Sequence, residues 1–261
     1  MEETHMPVAF FGHGSPMNAI EHNHHTEAWH EFGRKVGRPR AVVVVSAHWL
    51  TQGTLATAMS RPRTIHDFFG FPSQLFDVQY PAPGSPEVAD ELVEVLSPTW
   101  VGKDMDSWGL DHGTWSVLCH MFPEADVPVV QLSIDSLKSF DEHFALGAAL
   151  APLATRGVLV VGSGNVVHNL GRLRWDAMGS GDAWAERFDQ SVREIMAIDP
   201  SELPRIVEHP DYSLAVPTPE HFIPLLYVAG LASAMSTPVS SMLEGCTMGS
   251  LSMTSYATRA G

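Results

Sequence analysis

The sequence predicts an α/β fold of three layers, with helices on both faces of a central, largely parallel or mixed sheet. Four apolar runs rich in β-branched residues end at glycine, proline or polar turns, and they predict buried strands at residues 7–12, 41–47, 127–134 and 157–162. Because these runs are continuously apolar rather than alternating, we expect the sheet to be covered on both faces. Helix-like stretches alternate with the strands, which is typical of this architecture.

The predicted helices follow from apolar periodicity and from start signals. We expect helices at residues 27–36, 85–96, 113–121, 140–154, 183–197 and 219–235. Ser85 followed by Pro86 predicts an N-cap and a first helical residue, and Thr218 followed by Pro219 repeats that pattern. The proline-rich and aromatic-rich stretch at residues 61–86 shows neither the helical nor the alternating spacing of apolar residues, so it predicts a long loop.

Composition limits the classes of protein that the chain can represent. A length of 261 residues with 44% apolar side chains predicts one domain over residues 1–261. A net charge of −15, with only 15 lysines and arginines, argues against a nucleic-acid partner. Neither a basic signal segment nor an apolar run of about 20 residues is present, so we expect a cytoplasmic protein without a membrane partner. The sequence leaves the oligomeric state open.

Histidines at predicted strand ends are the main functional signal. The chain has 14 histidines, and imidazole is a frequent metal ligand and proton carrier. His13 and His48 directly follow the first two predicted strands, and His168 lies a few residues beyond the fourth. Since ligands of open α/β sheets bind outside the carboxyl ends of the strands, we expect these side chains to converge.

Two further histidines belong to the same pattern. With Thr218 as an N-cap, Glu220 and His221 fall in the first helical turn, where the positive helix end keeps an imidazole neutral. His112 lies on a loop just before another predicted helix. Three histidines at strand ends and one at a helix start predict a metal site or an acid–base site.

Two motifs that suggest other chemistry are incomplete. Residues 162–167 begin like a dinucleotide fingerprint, but Val167 replaces the third glycine, which excludes a nicotinamide cofactor. Ser15 lies in the sequence His13-Gly-Ser-Pro-Met17, where Met17 replaces the second glycine of a Gly-x-Ser-x-Gly nucleophile elbow and Pro16 does not suit its helix turn. Ser15 is therefore interpreted as a turn residue.

At these histidines the chain resembles the class III extradiol dioxygenases, the LigB-like superfamily, and within it the bacterial and plant 4,5-DOPA extradiol dioxygenase group. The resemblance covers almost the whole chain. Nine segments carry it, in this order: residues 12–17, 45–49, 65–68, 80–86, 111–113, 131–134, 164–169, 218–221 and 248–252.

The resemblance implies one mononuclear nonhaem metal, functionally Fe(II), although Zn(II) also occurs in this group. The usual ligands are two histidines and one carboxylate. His13 and His48 match the two histidines. The third ligand is Glu220 or His221, of which we favour His221. His168 matches the region of the catalytic base, and an alternative role for it is a fourth metal ligand.

The implied reaction joins a small catecholic substrate and dioxygen. A catechol that binds the metal through both oxygens becomes more acidic, so His168 can remove a proton. His112 is suited to donate a proton while the ring opens to a semialdehyde. The loop at residues 65–72 is expected to wall the ring, with His66 and Phe68 as substrate contacts, or else to pack its apolar side chains over the edge of the sheet.

Two alternative functions use the same residues. A zinc hydrolase of a small polar substrate would use the histidine site to activate water. A noncatalytic metal-binding protein would instead close the coordination shell. The sequence leaves open which catechol and which ring bond are involved, and whether iron or zinc is the native metal.

Overall fold

The computed structural model describes residues 5–259, and an eight-stranded sheet lies at its centre. Its strands are β1 (Val8–Gly12), β2 (Ala41–Thr51), β3 (Thr54–Thr57), β4 (Val101–Asp104), β5 (Val129–Asp135), β6 (Val158–Gly164), β7 (Val239–Leu243) and β10 (Ser255–Thr258), while β8 (Cys246–Thr247) and β9 (Leu251–Ser252) form a separate pair. The α-helices are α1 (His24–Val36), α2 (Ser73–Phe76), α3 (Pro86–Val95), α4 (His112–Met121), α5 (Phe140–Ala149), α6 (Ala151–Thr155), α7 (Ala183–Ile198), α8 (Tyr212–Ala215) and α9 (Ile223–Ala234).

The strand order is β4-β3-β5-β2-β6-β1-β10-β7, and the four central strands β5, β2, β6 and β1 are parallel. Strands β10 and β7 pair antiparallel beyond β1, which makes the sheet mixed. Alternate side chains of the central strands enter two separate buried cores, as Val43 and Val42 illustrate on opposite faces of β2. The predicted three-layer α/β/α fold with a buried central sheet is therefore confirmed.

Several details differ from the predicted elements, among them the short helix α2, which lies inside the predicted loop at residues 61–86. Strand β2 continues to Thr51 through an irregularity after Val45, so His48 lies inside the strand and not after its end. The stretch predicted as one helix at residues 140–154 is divided between α5 and α6. The short strands β3, β4 and β7–β10 were not predicted, because runs of two to five residues give too few positions to establish a period.

The predicted cap at Thr218 is wrong, whereas the one at Ser85 is confirmed. Ser85 Oγ accepts a hydrogen bond from the backbone of Val88 at the start of α3. Helix α9 begins only at Ile223, and the Thr218 hydroxyl donates to Glu220 Oε1 at 2.6 Å. His221 therefore lies in a turn before the helix, not in its first turn. Within residues 5–259, no helix is both long enough and apolar enough to cross a membrane.

Candidate metal centre and active site

Five histidines meet in one cavity of about 470 Å³ beyond the carboxyl ends of the parallel strands. The strand ends determine this meeting point, because β1, β6 and β2 are hydrogen-bonded neighbours that run in the same direction. The expected convergence of strand-end side chains is therefore found. The histidines are His13, His48, His112, His168 and His221.

The hydrogen bonds of His13 determine which of its ring nitrogens faces the cavity as an acceptor. His13 is 1% exposed, and its Nδ1 lies 2.9 Å from Ser163 Oγ. The Ser163 hydroxyl donates its proton to the carbonyl of Gly113 at 2.5 Å, so it must accept from His13 Nδ1. The proton of the neutral ring is thus on Nδ1, and Nε2 keeps a free lone pair.

His13 and His48 present their Nε2 atoms to each other at a separation of 3.2 Å. His48 Nδ1 lies 3.4 Å from the carboxylate of Asp67, which favours a proton on that nitrogen. Two lone pairs then face each other, an arrangement that a cation between them would stabilise. Two nitrogens that share one ion at about 2.1 Å each lie no more than about 4.2 Å apart, so this donor pair fits a first-row metal ion.

His221 enters the cavity from the turn before α9. Its carbonyl accepts from the backbone of Asn165 at 2.9 Å, which ties the turn to the end of β6. A Cβ at Gly164 would lie 2.1 Å from that carbonyl, so only glycine allows this approach. His221 Nδ1 lies 3.2 Å from Glu220 Oε1, which leaves Nε2 as the free acceptor of this ring.

The ring centroids of His13, His48 and His221 form a nearly equilateral triangle. The separations are 5.0 Å between His13 and His48, 5.1 Å between His48 and His221, and 5.5 Å between His13 and His221. Distances between potential ligand atoms define a second possible set of metal ligands. One nitrogen each of His13, His48 and His112 lies within 4.8 Å of the other two. This second group is likewise consistent with one metal ion.

His168 lies flat against His221, with ring centroids 3.5 Å apart and an angle of 7° between the planes. Its backbone N–H donates to the carbonyl of Ala215 at 2.9 Å, and its backbone forms an isolated bridge with Leu251. These contacts hold His168 four residues beyond β6 and beside the other histidines of the cavity.

His112 is the first residue of α4, directly after the N-cap Asp111, and it faces the carboxylate of Asp67. Its backbone N–H donates to Asp67 Oδ1 at 2.9 Å, and its ring Nδ1 lies 3.0 Å from the same oxygen. The ring contact lacks hydrogen-bond direction, so it is electrostatic, and Nδ1 is a buried polar atom without a hydrogen-bond partner. Asp67 thus connects His48 and His112, a role that sequence analysis missed although it named the residues on either side of Asp67.

Behind these residues, a buried polar network holds the start of α4. The carboxylate of Asp111 accepts hydrogen bonds from Ser46 Oγ at 2.7 Å and from Gln131 Nε2 at 2.6 Å. Burial raises the pKa of Asp111, and the nearby Asp67 raises it further, while the two hydrogen bonds oppose that rise. A Cβ at Gly113 would lie 2.6 Å from Ser46 Oγ, so the close packing of α4 against β2 requires glycine there.

Burial is the main factor that holds four of the cavity histidines, His13, His48, His168 and His221, in their neutral form. Burial and, after it, the neighbouring histidines lower the pKa of His13 and of His221 well below the usual value. The pKa of His48 is lowered to about 3 and that of His168 to about 4, again chiefly by burial. Burial opposes ionisation of Asp67, but contacts with His112 outweigh it and lower the pKa of this carboxyl. Neutral imidazoles are the form that metals bind.

Aromatic and aliphatic side chains form the rest of the cavity wall. Phe68, one of the two predicted substrate contacts, lines the cavity. His66, the other, is not among the described residues that line it. Its ring packs against those of Phe68 and Trp115, and its Nε2 lies 2.9 Å from the carbonyl of Val78.

Comparison with known proteins agrees with this fold and site. The model of the LigB family, described as the catalytic LigB subunit of aromatic ring-opening dioxygenase, matches residues 3–253. The chain therefore belongs to the LigB family of aromatic ring-opening dioxygenases.

Among individual proteins, the chain is 49% identical to a 4,5-DOPA dioxygenase extradiol of Escherichia coli (strain K12), over 98% of this chain and 95% of that protein. It is 39% identical to a 4,5-DOPA dioxygenase extradiol of Beta vulgaris, over 87% of each. The crystal structure of uncharacterized protein JW3007 from Escherichia coli K12 has a TM-score of 0.84 at 44% identity, covering 97% of this chain and 99% of the other.

The relatives confirm the predicted type of enzyme. The chain is an extradiol ring-opening dioxygenase, and the class implies an aromatic substrate and dioxygen. The zinc hydrolase alternative receives no support from these relatives, and membership of a catalytic family argues against the noncatalytic alternative.

Proposed function

We propose that the enzyme opens the ring of a catechol-type substrate at one metal ion held by His13, His48 and His221. The observation that carries the assignment is the nearly equal separation of their rings, 5.0 to 5.5 Å. Two imidazoles at right angles on one ion at about 2.1 Å have ring centres about 4.5 Å apart, and wider angles give larger values. All three separations satisfy that condition.

The same test argues against one metal ion shared by His112 and His48, and against one shared by His168 and His221. The ring of His112 is 3.9 Å from that of His48, and the ring of His168 is 3.5 Å from that of His221. Both separations are below the value of about 4.5 Å for right-angled ligands. We therefore assign His112 and His168 to proton transfer, with His112 as the alternative third ligand.

We assign Glu220 to orienting His221 and not to metal binding. Its Oε1 accepts from both Thr218 Oγ1 and His221 Nδ1, so it faces the ring nitrogen that points away from the cavity. A carboxylate in that position fixes the tautomer and the orientation of a histidine ligand. Asp67 contacts the corresponding nitrogen of His48.

Fe(II) is the metal that we propose for turnover, since it supplies the redox chemistry that lets a catechol react with dioxygen and Zn(II) has no accessible redox state. The protein's own residues move the protons. His168 is neutral, because burial lowers its pKa to about 4, so it can accept a proton from a catechol hydroxyl. His112, beside the Asp67 carboxylate, is placed to return a proton to the opening ring.

The names of the relatives suggest DOPA as the first substrate to assay. Metal-free protein would be loaded anaerobically with Fe(II) or Zn(II) and mixed with DOPA, caffeate or protocatechuate in an oxygen electrode. We expect the Fe(II) form to consume one dioxygen per catechol, and the Zn(II) form to bind catechols without consuming oxygen. Absence of oxygen uptake by the Fe(II) form with every catechol would contradict the proposal.

A further inference from the structure

Helix α7 contains a buried carboxylate that the proposed ring cleavage does not use. Asp189 is completely buried, whereas the other buried residues of α7 are apolar, namely Ala185, Phe188, Val192 and Met196. Burial raises the pKa of this carboxyl, while hydrogen bonds from Ser252 and Thr254 and the charge of Arg193 oppose the rise. Apolar residues of similar volume often replace a buried ion pair without loss of stability. Stability alone therefore does not explain a carboxylate at this position.

Both oxygens of the Asp189 carboxylate accept hydrogen bonds. Oδ2 accepts from Nε of Arg193, one turn further along α7, at 3.1 Å. Oδ1 accepts from the hydroxyl of Ser252 at 2.5 Å, and that hydroxyl accepts in turn from the backbone N–H of Thr254 at 3.1 Å. Ser252 is the second residue of β9 and is also completely buried. Its hydroxyl therefore ties the short strand β9 to α7.

Strand β9 and the residue before it hold the segment that carries His168. On one side of the histidine, the backbone N–H of Ser252 donates to the carbonyl of Val167 at 2.9 Å. On the other side, the backbone N–H of Asn169 donates to the carbonyl of Ser250 at 3.1 Å. The backbone of His168 is thus fixed in register against this strand.

Asn165 extends these contacts to the turn that carries His221. Its side-chain Nδ2 donates to the carbonyl of Ser252 at 2.7 Å, and its backbone N–H donates to the carbonyl of His221 at 2.9 Å. Asn165 is 1% exposed, and hydrogen bonds shielded from water in this way are stronger and hold a more rigid arrangement. We call Asp189, Ser252 and Asn165 the Asp189 network. Through it, one buried carboxylate supports the backbones of both His168 and His221.

We infer that Asp189 and Ser252 are positioning residues for catalysis, because they set the position of His168 relative to His221. This inference rests on the proposed roles of His168 as the base and of His221 as a metal ligand. Neither Asp189 nor Ser252 is among the described residues that line the cavity, so both act through the two histidines. The histidine rings are stacked 3.5 Å apart, so a displacement of either backbone changes the distance from base to metal. A misplacement of about 1 Å can reduce a rate about 100-fold.

A matched pair of serine variants tests the inference. Ser252→Ala removes the hydroxyl that donates to Asp189. Ser133→Ala makes the same change in β5, at a serine that is also completely buried. The Ser133 hydroxyl likewise accepts from a backbone N–H, that of Leu55 at 2.8 Å, and bonds to a side chain, that of Thr51 at 2.7 Å. Among the described residues, it has no hydrogen bond to a cavity histidine.

The two variants should differ in turnover and in metal affinity. We expect Ser252→Ala to lower kcat of the Fe(II) enzyme at least about tenfold, since a displacement well below 1 Å suffices. We expect it to weaken Zn(II) binding at least about threefold, less than the loss of a direct partner of a ligand. Ser133→Ala should change each quantity by less than about twofold. Both are measured well below the melting temperature of each variant, with Zn(II) affinity from competition with a chelator.

A double-mutant cycle tests whether Asp189 acts through Ser252. Asp189→Leu removes the carboxylate at similar volume, and Arg193 keeps its second acidic partner, Glu244, at 2.7 Å. Because Asp189→Leu and Ser252→Ala break the same hydrogen bond, the loss of kcat in the double variant should be smaller than the product of the two single losses. Losses that multiply would mean that the two residues act independently, which would overturn the inference. Asp189→Leu also provides the comparison with Ser133→Ala if Ser252→Ala does not fold.

The remaining outcomes separate failure of the Asp189 network from failure of the proposed activity. If the unmodified Fe(II) enzyme cleaves no catechol while Ser252→Ala weakens Zn(II) binding and Ser133→Ala does not, the proposed activity is wrong and the network stands. If the unmodified enzyme cleaves catechols and Ser252→Ala lowers only the melting temperature, the activity stands and the role of Ser252 is structural. Equal losses of kcat in Ser252→Ala and Ser133→Ala would likewise overturn the inference.

Discussion

Two groups of candidate metal ligands, one from each half of the chain, face the same cavity but are held in different ways. The first group is His13, His48 and His112, and the second is His168, Glu220 and His221. Within each group, one potential ligand atom per residue lies within 4.8 Å of those of the others. Proximity alone therefore does not separate ligands from proton carriers.

The first group is supported by strands and by buried polar contacts. His13 and His48 lie at the end of β1 and within β2, and the Ser163 hydroxyl fixes the tautomer of His13. His112 begins a helix whose N-cap, Asp111, is completely buried in a hydrogen-bond network.

The second group lies on loops and turns. His168 and His221 are held mainly through their backbones, and Glu220 is hydrogen-bonded only to its neighbours Thr218 and His221 among the described residues. The contacts of the outer ring nitrogens add to the ring separations on which the proposed ligand assignment rests. In the first group, Nδ1 of His13 lies against Ser163 Oγ, and Nδ1 of both His48 and His112 lies against the Asp67 carboxylate. In the second group, among the described residues, only His221 has such a contact.

The largest expected effect is loss of metal from one ligand variant of each group. His13→Ala and His221→Ala should each weaken metal binding by more than about 100-fold, since loss of a direct ligand exceeds the 10–100-fold effect of losing an outer partner. Metal content after dialysis, measured by mass spectrometry, checks this. His30→Ala, at an exposed position of α1, is the control and should retain metal. Retention of metal by His221→Ala would remove the second group from the metal site.

His112→Ala tests whether the first group contains a residue that does not bind metal. We expect this variant to keep its metal while kcat falls by about 10²–10⁴-fold, the usual contribution of a general acid or base. Metal content and single-turnover oxygen consumption should be measured on the same preparation. Loss of metal equal to that in His13→Ala would instead favour the group of His13, His48 and His112 as the ligand set.

Substitution of Asp67 or Glu220, the two carboxylates that contact cavity histidines, should have smaller effects on catalysis and metal binding. Asp67 contacts two histidines and is mostly buried, whereas Glu220 contacts one. Asp67→Asn should therefore lower kcat by about 10–100-fold, and Glu220→Gln should change kcat and metal affinity by less than about tenfold, because a glutamine oxygen can still accept from His221. Metal titration and steady-state kinetics measure both. A greater loss of metal affinity in Glu220→Gln would identify Glu220 as a direct ligand.

The central sheet and the meeting of the histidines could be predicted because both follow from local patterns and from one general rule. Long apolar runs identify β1, β2, β5 and β6, and parallel strands bring their carboxyl ends to one edge. Asp67 could not be predicted, since it lies in a loop without periodicity and contacts His112 from 45 positions away along the chain. At Thr218, by contrast, the sequence predicts a structure that does not form. The residues match the pattern of a helix cap, but they form a turn in which the Thr218 hydroxyl donates to the Glu220 side chain.

The smallest expected effect concerns the second group and appears as a dependence of stability on pH. The pKa of His168 is lowered to about 4 in the folded metal-free protein and is about 6.5 in the unfolded chain. Between these values the unfolded state binds one more proton, so the free energy of unfolding decreases as the pH falls from 6.5 towards 4 and is unaffected by His168 above that range. His168→Gln removes this contribution. From pH 7 to pH 5, metal-free wild-type protein should lose about 1–2 kcal/mol more stability than the variant in urea titrations. Equal losses in the two proteins would mean that His168 is not held neutral by the fold, and its assignment as the base of the second group would lose its main support.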